Sequence, residues 1–346
     1  MVKVKDVLLK ATKDYGDKVA TIGGDIEDTR RIPTGIYQFD YATGGGFPRG
    51  LMSMVWGKES SGKTNLVLRS AAMAQLIEPE KHVVLMDIEH TYDPKWGKRL
   101  GVIHDRAVVV RPDTGEQAVN ILVDFIYAKD VSLIMVDSIA AIIGQKEIDK
   151  DAETMQVAGS SLIVGGMVRK VTRALLNQGK EGHDPAVVFI NQIRHKIGQM
   201  YGDPESTPGG NALRFAIALG VRLYGKDVIK KHVNPTLSCA KNTDFTVRKY
   251  KIPVAAIAGT YEMAMIPHDG LKVGESDAWN TLSSRMKDFG LIEQLDKNKG
   301  WKIEGEVYKT LKEYRELLAA DPIKDNEMKQ RVIRLAVAQA QGDEDG

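Results

Sequence analysis

Apolar and polar positions along the chain change period at definite places, and those changes divide it. Val4, Val7, Leu8, Ala11, Tyr15 and Val19 recur at helical spacing among lysines and aspartates, which predicts an amphipathic helix over residues 1–20. The run Gly23-Gly24-Asp25-Ile26-Glu27-Asp28-Thr29-Arg30-Arg31 breaks that period and reads as a linker. A tethered helix must cover its apolar stripe, on its own core or on a neighbouring subunit. Between residues 32 and 260, short apolar runs alternate with helical patterns. The strand-like runs are 51–56, 82–87, 107–110, 133–137, 186–190, 216–224 and 254–257. Several have no polar alternation, as expected of parallel strands covered on both faces. Helices are predicted at 65–76 and at 117–128, the second opened by the capping-box pattern Thr114-Gly115-Glu116-Gln117. The expected fold is α/β with a mostly parallel central sheet. After residue 265 the apolar runs shorten and charge dominates, with helices predicted at 277–289, 307–318 and 324–341. The expected division is an N-terminal helix and linker (1–31), a core (32–265), a small α+β C-terminal domain (266–341) and a short acidic tail, Gly342-Asp343-Glu344-Asp345-Gly346.

Composition narrows the setting. With 43% hydrophobic and 27% charged residues the chain has the balance of a globular protein. No apolar run approaches the ~18 residues of a membrane span, and Met1-Val2-Lys3-Val4-Lys5-Asp6 leads into no apolar signal core. Cys239 is the only cysteine, so no intrachain disulfide forms and a cytoplasmic location is expected. The net charge of +2 leaves room for local basic clusters: Arg169, Lys170 and Arg173; Lys226, Lys230 and Lys231; Arg248, Lys249 and Lys251.

The chemistry-bearing motif is Gly57-Lys58-Glu59-Ser60-Ser61-Gly62-Lys63-Thr64, two glycines four residues apart followed by Lys and Thr, set between a predicted strand and a predicted helix. Backbone N–H groups of such a loop wrap a polyphosphate, Lys63 supplies a point charge, and the Thr64 hydroxyl is a Mg²⁺ ligand. Leu133-Ile134-Met135-Val136-Asp137-Ser138 has the form of the partner strand whose terminal carboxylate completes the metal shell. Glu89, after another strand end, is the candidate to orient an attacking water. Gln192, after the strand at 186–190, is placed to sense a γ-phosphate. The following segment, 193–210, is long and Gly- and Pro-punctuated, and it carries Arg194, His195, Lys196, Met200 and Tyr201. Basic residues mixed with aromatic and aliphatic ones suit a site that tracks single-stranded nucleic acid.

Taken together these residues resemble the RecA family of DNA recombinases, in its bacterial and phage branch. The resemblance runs from Ile32-Pro33-Thr34-Gly35 through Gly44-Gly45-Gly46-Phe47-Pro48-Arg49-Gly50 and the phosphate loop, then Asp87-Ile88-Glu89-His90, Arg111-Pro112-Asp113-Thr114-Gly115-Glu116-Gln117-Ala118 and Val136-Asp137-Ser138. Its most specific part is Asn191-Gln192-Ile193-Arg194-His195-Lys196-Ile197-Gly198, closing at Gly209-Gly210-Asn211-Ala212-Leu213-Arg214-Phe215. It implies a RecA-like P-loop ATPase core and an ATP- and Mg²⁺-dependent filament on single-stranded DNA that pairs it with homologous duplex. Expected partners are single- and double-stranded DNA, further copies of the chain, and single-strand-binding and loader proteins, in the cytoplasm of a bacterial or phage-infected cell and away from membranes. By position it implies Glu89 as catalytic carboxylate, Gln192 as γ-phosphate sensor, Asp137 and Ser138 on the metal side, and Asp93 and Trp96 at adenine. Residues 146–160 match a first DNA-binding loop and 193–210 a second, with Val157 and Ile197 as wedges between bases. Arg169, Arg173, Arg194, Lys196, Gly209, Gly210 and Asn211 are DNA contacts, and Phe215 relays nucleotide state between subunits. Departures point to a divergent, phage-type member. Leu162 stands where relatives carry an arginine, and Lys241-Asn242-Thr243 resembles a Lys-Asn-Lys segment that reaches ATP across the interface, with its second lysine replaced. Two other readings share the motifs: an ATP- and DNA-binding mediator without strand exchange, and a hexameric helicase motor, which the long basic loop disfavours.

Overall fold

The structure is a computed structural model describing residues 3–15, 29–144, 158–195, 205–230, 232–234, 236–295 and 299–342. Helix α1 (Val4–Tyr15) matches the first part of the predicted N-terminal helix; the rest of that helix, the linker as far as residue 28 and the acidic tail after Gly342 lie outside the described residues. Val4 and Val7 of its stripe are exposed, while Leu8 and Ala11 are half-buried.

The core begins with β1 (Arg31–Ile32), α2 (Tyr37–Thr43) and β2 (Phe47–Pro48), then alternates β3 (Met52–Gly57), α3 (Lys63–Ile77), β4 (His82–Asp87), α4 (Pro94–Arg99), β5 (Ala107–Val110), α5 (Gly115–Tyr127) and β6 (Val131–Asp137). Then come α6 (Ala158–Lys180), β7 (Ala186–Gln192), the short pair β8 (Arg194–His195) and β9 (Glu205–Ser206), α7 (Gly210–Ala216), β10 (Leu219–Val228), β11 (Ala240–Tyr250) and β12 (Ala258–Ala264). Eight strands form the main sheet in the order β12-β11-β10-β3-β7-β6-β4-β5. From β10 to β5 every pairing is parallel; β10–β11 and β11–β12 are antiparallel. The expected α/β fold with a mostly parallel sheet is what forms.

Alternate residues of the central strands enter opposite cores. In β7, Ala186, Val188 and Ile190 pack with α3 residues Leu66, Val67 and Ala71 on one face. Val187 and Phe189 pack with Leu122 and Ile126 of α5 and Val168 and Val171 of α6 on the other. This two-sided burial is why the strands read as unbroken apolar runs. Thr114 caps α5 by accepting from Gln117 N (3.1 Å), while the Gln117 side chain reaches back to Asp113 N (2.7 Å) rather than to Thr114.

Three expectations need correction. The strand placed at 216–224 starts at Leu219, because Gly210–Ala216 is helical. The strand placed at 254–257 is replaced by β11 and β12, which flank that stretch. Their side chains alternate between buried and exposed along the sheet's antiparallel edge, so no continuous apolar run marks them. In the C-terminal region the helix expected at 307–318 begins only after strand β15, at a cap on Thr310 that accepts from Glu313 N (3.3 Å). There α8 (Trp279–Asp288), α9 (Leu311–Ala320) and α10 (Pro322–Gln341) pack with a three-stranded antiparallel sheet of β13 (Ile292–Gln294), β14 (Trp301–Ile303) and β15 (Glu306–Tyr308). Their shared apolar cluster includes Tyr37 of α2, so one core helix helps to close it.

Candidate nucleotide site and its surroundings

The parallel strands end together. Register pairs Gly57 of β3 with Gln192 of β7, and Asp87 of β4 with Asp137 of β6, so the loop and three strand-end polar groups line one carboxyl edge of the sheet. Ligands of open α/β sheets bind at that edge. The loop Gly57–Thr64 leaves β3 and enters α3, whose first turn carries no acidic residue against its positive end. Gly62 caps the helix at φ +90°, a left-handed conformation natural to glycine. Gly57 is needed for a different reason: a Cβ there would lie 2.4 Å from the Leu223 carbonyl oxygen. Lys63 Nζ donates to the Gly57 carbonyl (3.1 Å) and the Lys58 carbonyl (2.7 Å), lying across the loop's own concavity. Burial lowers the pKa of its ammonium, and the nearby Asp137, Glu89 and Glu59 work against that shift.

The Thr64 hydroxyl donates to Asp137 Oδ2 (2.8 Å), joining the two residues expected to ligate Mg²⁺. Burial, with help from Glu89 and Asp87, pushes the Asp137 carboxyl up to about 6, against the Thr64 hydrogen bond and the Lys63 charge. A hydroxyl and a crowded carboxylate side by side are hard oxygen donors, and they fit a magnesium-bound phosphate. Glu89 accepts hydrogen bonds from the Ser138 hydroxyl and from Gln192 Nε2 (3.1 Å). The strand-end groups of β4, β6 and β7 thus meet on one carboxylate.

The loop carrying Glu89 is held from behind by Asp87, which sequence reasoning had not singled out. Its buried carboxylate accepts from Thr91 N (2.9 Å), Tyr92 N (3.2 Å) and Arg111 Nε (2.9 Å). Arg111 belongs to the Arg-Pro-Asp-Thr-Gly motif, whose position in sequence gives no hint of this contact. Asp93 caps α4 by accepting from Lys95 N (2.8 Å). The Trp96 indole donates to Asn65 Oδ1 (2.9 Å) beneath the Arg99 guanidinium, 5.2 Å from the ring. Both residues line a cavity of about 210 Å³ together with Thr64, Leu68, Tyr92 and Asp137.

Of the expected DNA contacts, Arg169 and Arg173 are exposed on α6, and Leu162, 75% exposed, lies on the same face. Arg194 sits in β8 paired with Ser206, at the root of the second loop. Asn191 ties that root together: its side chain donates to the Pro208 carbonyl (2.8 Å) and accepts from Gln192 N (2.9 Å). Gly209, Gly210 and Asn211 open α7, with Gly209 as its cap. Val157, Lys196 and Ile197 lie outside the described residues, as do most of the two loops.

Lys241 lies against its own phosphate loop, donating to the Ser60 carbonyl (2.7 Å) and pairing with Asp227 (2.7 Å). Thr243 is buried. At the far end of the same strand stands a pair from the third basic cluster. Lys249 and Lys251 both donate to the Phe215 carbonyl, at 2.9 Å and 2.7 Å. Phe215 itself is 72% exposed, and Arg214, Arg222, Arg248 and Lys249 line the cavity beside it with Trp56. Burial, followed by the charges of Lys251 and Arg214, lowers the pKa of Lys249. The signal available in the sequence was a Lys-x-Lys spacing at 249–251.

Comparison with known proteins agrees with this architecture. The model of the RecA N-terminal domain matches residues 3–271. The chain is 32% identical over 277 residues to protein RecA of Mycoplasma mobile, covering 76% of this chain and 82% of that one. It is 36% identical over 232 residues to protein RecA of Gloeobacter violaceus (66% and 60% of the two chains). With protein RecA of Aquifex pyrophilus the identity is 41% over 189 residues (54% and 52%). The matched stretch thus spans less than two thirds of the latter two relatives. With the phosphate loop and the strand-end carboxylates at one edge of the sheet and the domain match over residues 3–271, the chain belongs to the RecA family of DNA recombinases.

Proposed function

We propose that the chain is an ATP-dependent recombinase that assembles on single-stranded DNA, pairs it with homologous duplex and releases it on hydrolysing ATP. The observation that carries this reading is the Glu89–Gln192 hydrogen bond, because Gln192 is the last residue of β7 and the second DNA loop starts at the next position. A change at the γ-phosphate therefore acts on the root of a DNA-binding segment through one amide. Thr64 and Asp137 would hold Mg²⁺, which when bound neutralises charge on the phosphate oxygens. Glu89 orients the water for in-line attack on the γ-phosphorus and accepts its proton as the new O–P bond forms and the P–O bond to the leaving ADP breaks. Lys63 leaves the Gly57 and Lys58 carbonyls for the phosphates and stabilises the charge that develops there.

In this reading Lys249 and Lys251, beside the exposed Phe215, face the nucleotide of the next subunit, and the apolar stripe of α1 docks on that subunit as well. Lys241 is thereby freed for another role. Single-stranded DNA should stimulate ATP hydrolysis by the wild-type chain, and homologous strands should form joint molecules in its presence. ATP hydrolysis without joint molecules supports the mediator instead, and the absence of both sinks the recombinase reading. Closed rings in electron micrographs with DNA and a non-hydrolysable ATP analogue would favour the helicase motor.

A further inference from the structure

Lys241 reaches the phosphate loop from outside. Residue 241 on β11 stands opposite Asp227 on β10, and the antiparallel register brings the two side chains into an ion pair of 2.7 Å. The residue is only 8% exposed. Its stem lies along the loop: a Cβ at Gly62 would come 3.4 Å from Lys241 Cδ. Its ammonium takes the Ser60 carbonyl at 2.7 Å. Ser60 is a non-glycine residue at φ +58°, a conformation that a neighbour has to maintain.

The consequence lies on the other side of the same peptide. In a trans peptide the C=O and N–H point in opposite directions. With the Ser60 carbonyl drawn out to Lys241, the Ser61 N–H is turned inward, where it donates to the Lys58 carbonyl (3.3 Å). That same carbonyl is held by Lys63 Nζ at 2.7 Å, so the Ser61 N–H and the Lys63 ammonium converge inside the loop. These are the two kinds of donor that an anion nest offers to phosphate oxygens.

We infer that Lys241, anchored by Asp227, is a positioning residue acting in cis, which clamps the Ser60–Ser61 peptide so that the loop's N–H groups face the phosphates of the nucleotide. The inference rests on the reading of Gly57–Thr64 as a nucleotide-phosphate loop. It gives a basic strand residue a task within its own subunit and makes β11 a bar with a phosphate-loop contact at Lys241 and the Lys249–Phe215 contact near its far end.

The test is calorimetric titration of the full chain, without DNA, with ATP, ADP and adenosine. Lys241→Met keeps the stem and removes the donor. It should weaken ATP and ADP binding by about the same factor, roughly tenfold for one charge-assisted hydrogen bond, and leave adenosine unaffected. Lys241→Arg, which can still donate to both partners, should restore most of that loss. Asp227→Asn should give a smaller loss with the same pattern, and it serves as the second probe if Lys241→Met melts early. Unchanged ATP and ADP binding in Lys241→Met overturns the clamp while leaving the nucleotide reading intact. Weakening of ATP alone overturns it in favour of a direct γ-phosphate contact. If the wild-type chain binds neither nucleotide, the nucleotide reading fails and the clamp with it.

Discussion

Glu89 shows how much of a residue's role depends on its company. By itself it is a carboxylate after a strand. In the fold it is gripped by Ser138, just after β6, and Gln192 from β7, while Asp87 and Arg111 fix the backbone that carries it. A group held from three sides has lost most of its rotational freedom before substrate arrives, which is the condition for orienting a water. Glu89→Gln keeps the shape and an acceptor oxygen but loses the charge. ATP hydrolysis should fall by about 10²–10⁴-fold while nucleotide affinity stays close to wild type, as read by steady-state hydrolysis beside equilibrium binding. An equal fall in both would mean that Glu89 binds nucleotide rather than acting on water. The sequence placed Glu89, Gln192, Asp137 and Thr64 correctly at strand and helix ends, because those positions follow from local period and from the loop motif. It gave no contacts for Lys241 or Lys249, whose surroundings are set by antiparallel partners far away in sequence.

At the scale of elements, α6 and β11 are the informative cases. Along α6, Leu162, Arg169, Arg173 and Leu176 fall on an exposed face, while Val164, Val168 and Val171 face the sheet. The two arginines are exposed on this face. Replacing both with alanine should make the dependence of single-stranded DNA affinity on salt shallower by about 1.4 in log–log slope, taking roughly 0.7 per lost phosphate contact. Titrations of a labelled oligonucleotide at several salt concentrations measure this. An unchanged slope removes α6 from the DNA site. Strand β11 was missed because its residues alternate between core and solvent, and its exposed half, including Asn242, Asp244 and Arg248, together with the buried Lys241, hid the strand among polar residues. The central parallel strands were legible for the opposite reason, since burial on both faces leaves no polar half.

At the scale of the whole molecule, stability and site are coupled through elements that cross domain limits. Tyr37 of the core helix α2 is wholly buried among C-terminal residues, so the boundary expected near 265 divides the sequence without dividing the packing. Near the start of β7, His183 is buried, and burial, followed by the charges of Lys81 and Lys129, holds its pKa below the ordinary 6.5, against a smaller opposing pull from Asp184. The unfolded chain therefore takes up this proton first as pH falls. The stability His183 confers is complete above about 6.5 and is lost as pH drops through the folded-state pKa. Denaturation midpoints should fall on acidification of the wild-type chain, and His183→Gln should flatten the part of the fall that lies in this window; an identical pH profile for the variant would exclude His183 as its source. What the sequence determined by itself was periodic or contiguous: buried parallel strands, caps, the phosphate loop and the family resemblance, because each is written within a few neighbouring residues. Only the tertiary structure decided which strand ends meet on Glu89, which lysine lies on its own loop and which pair stands beside Phe215. Those answers come from sheet order and antiparallel register, which join residues far apart in the chain and leave no local pattern to read.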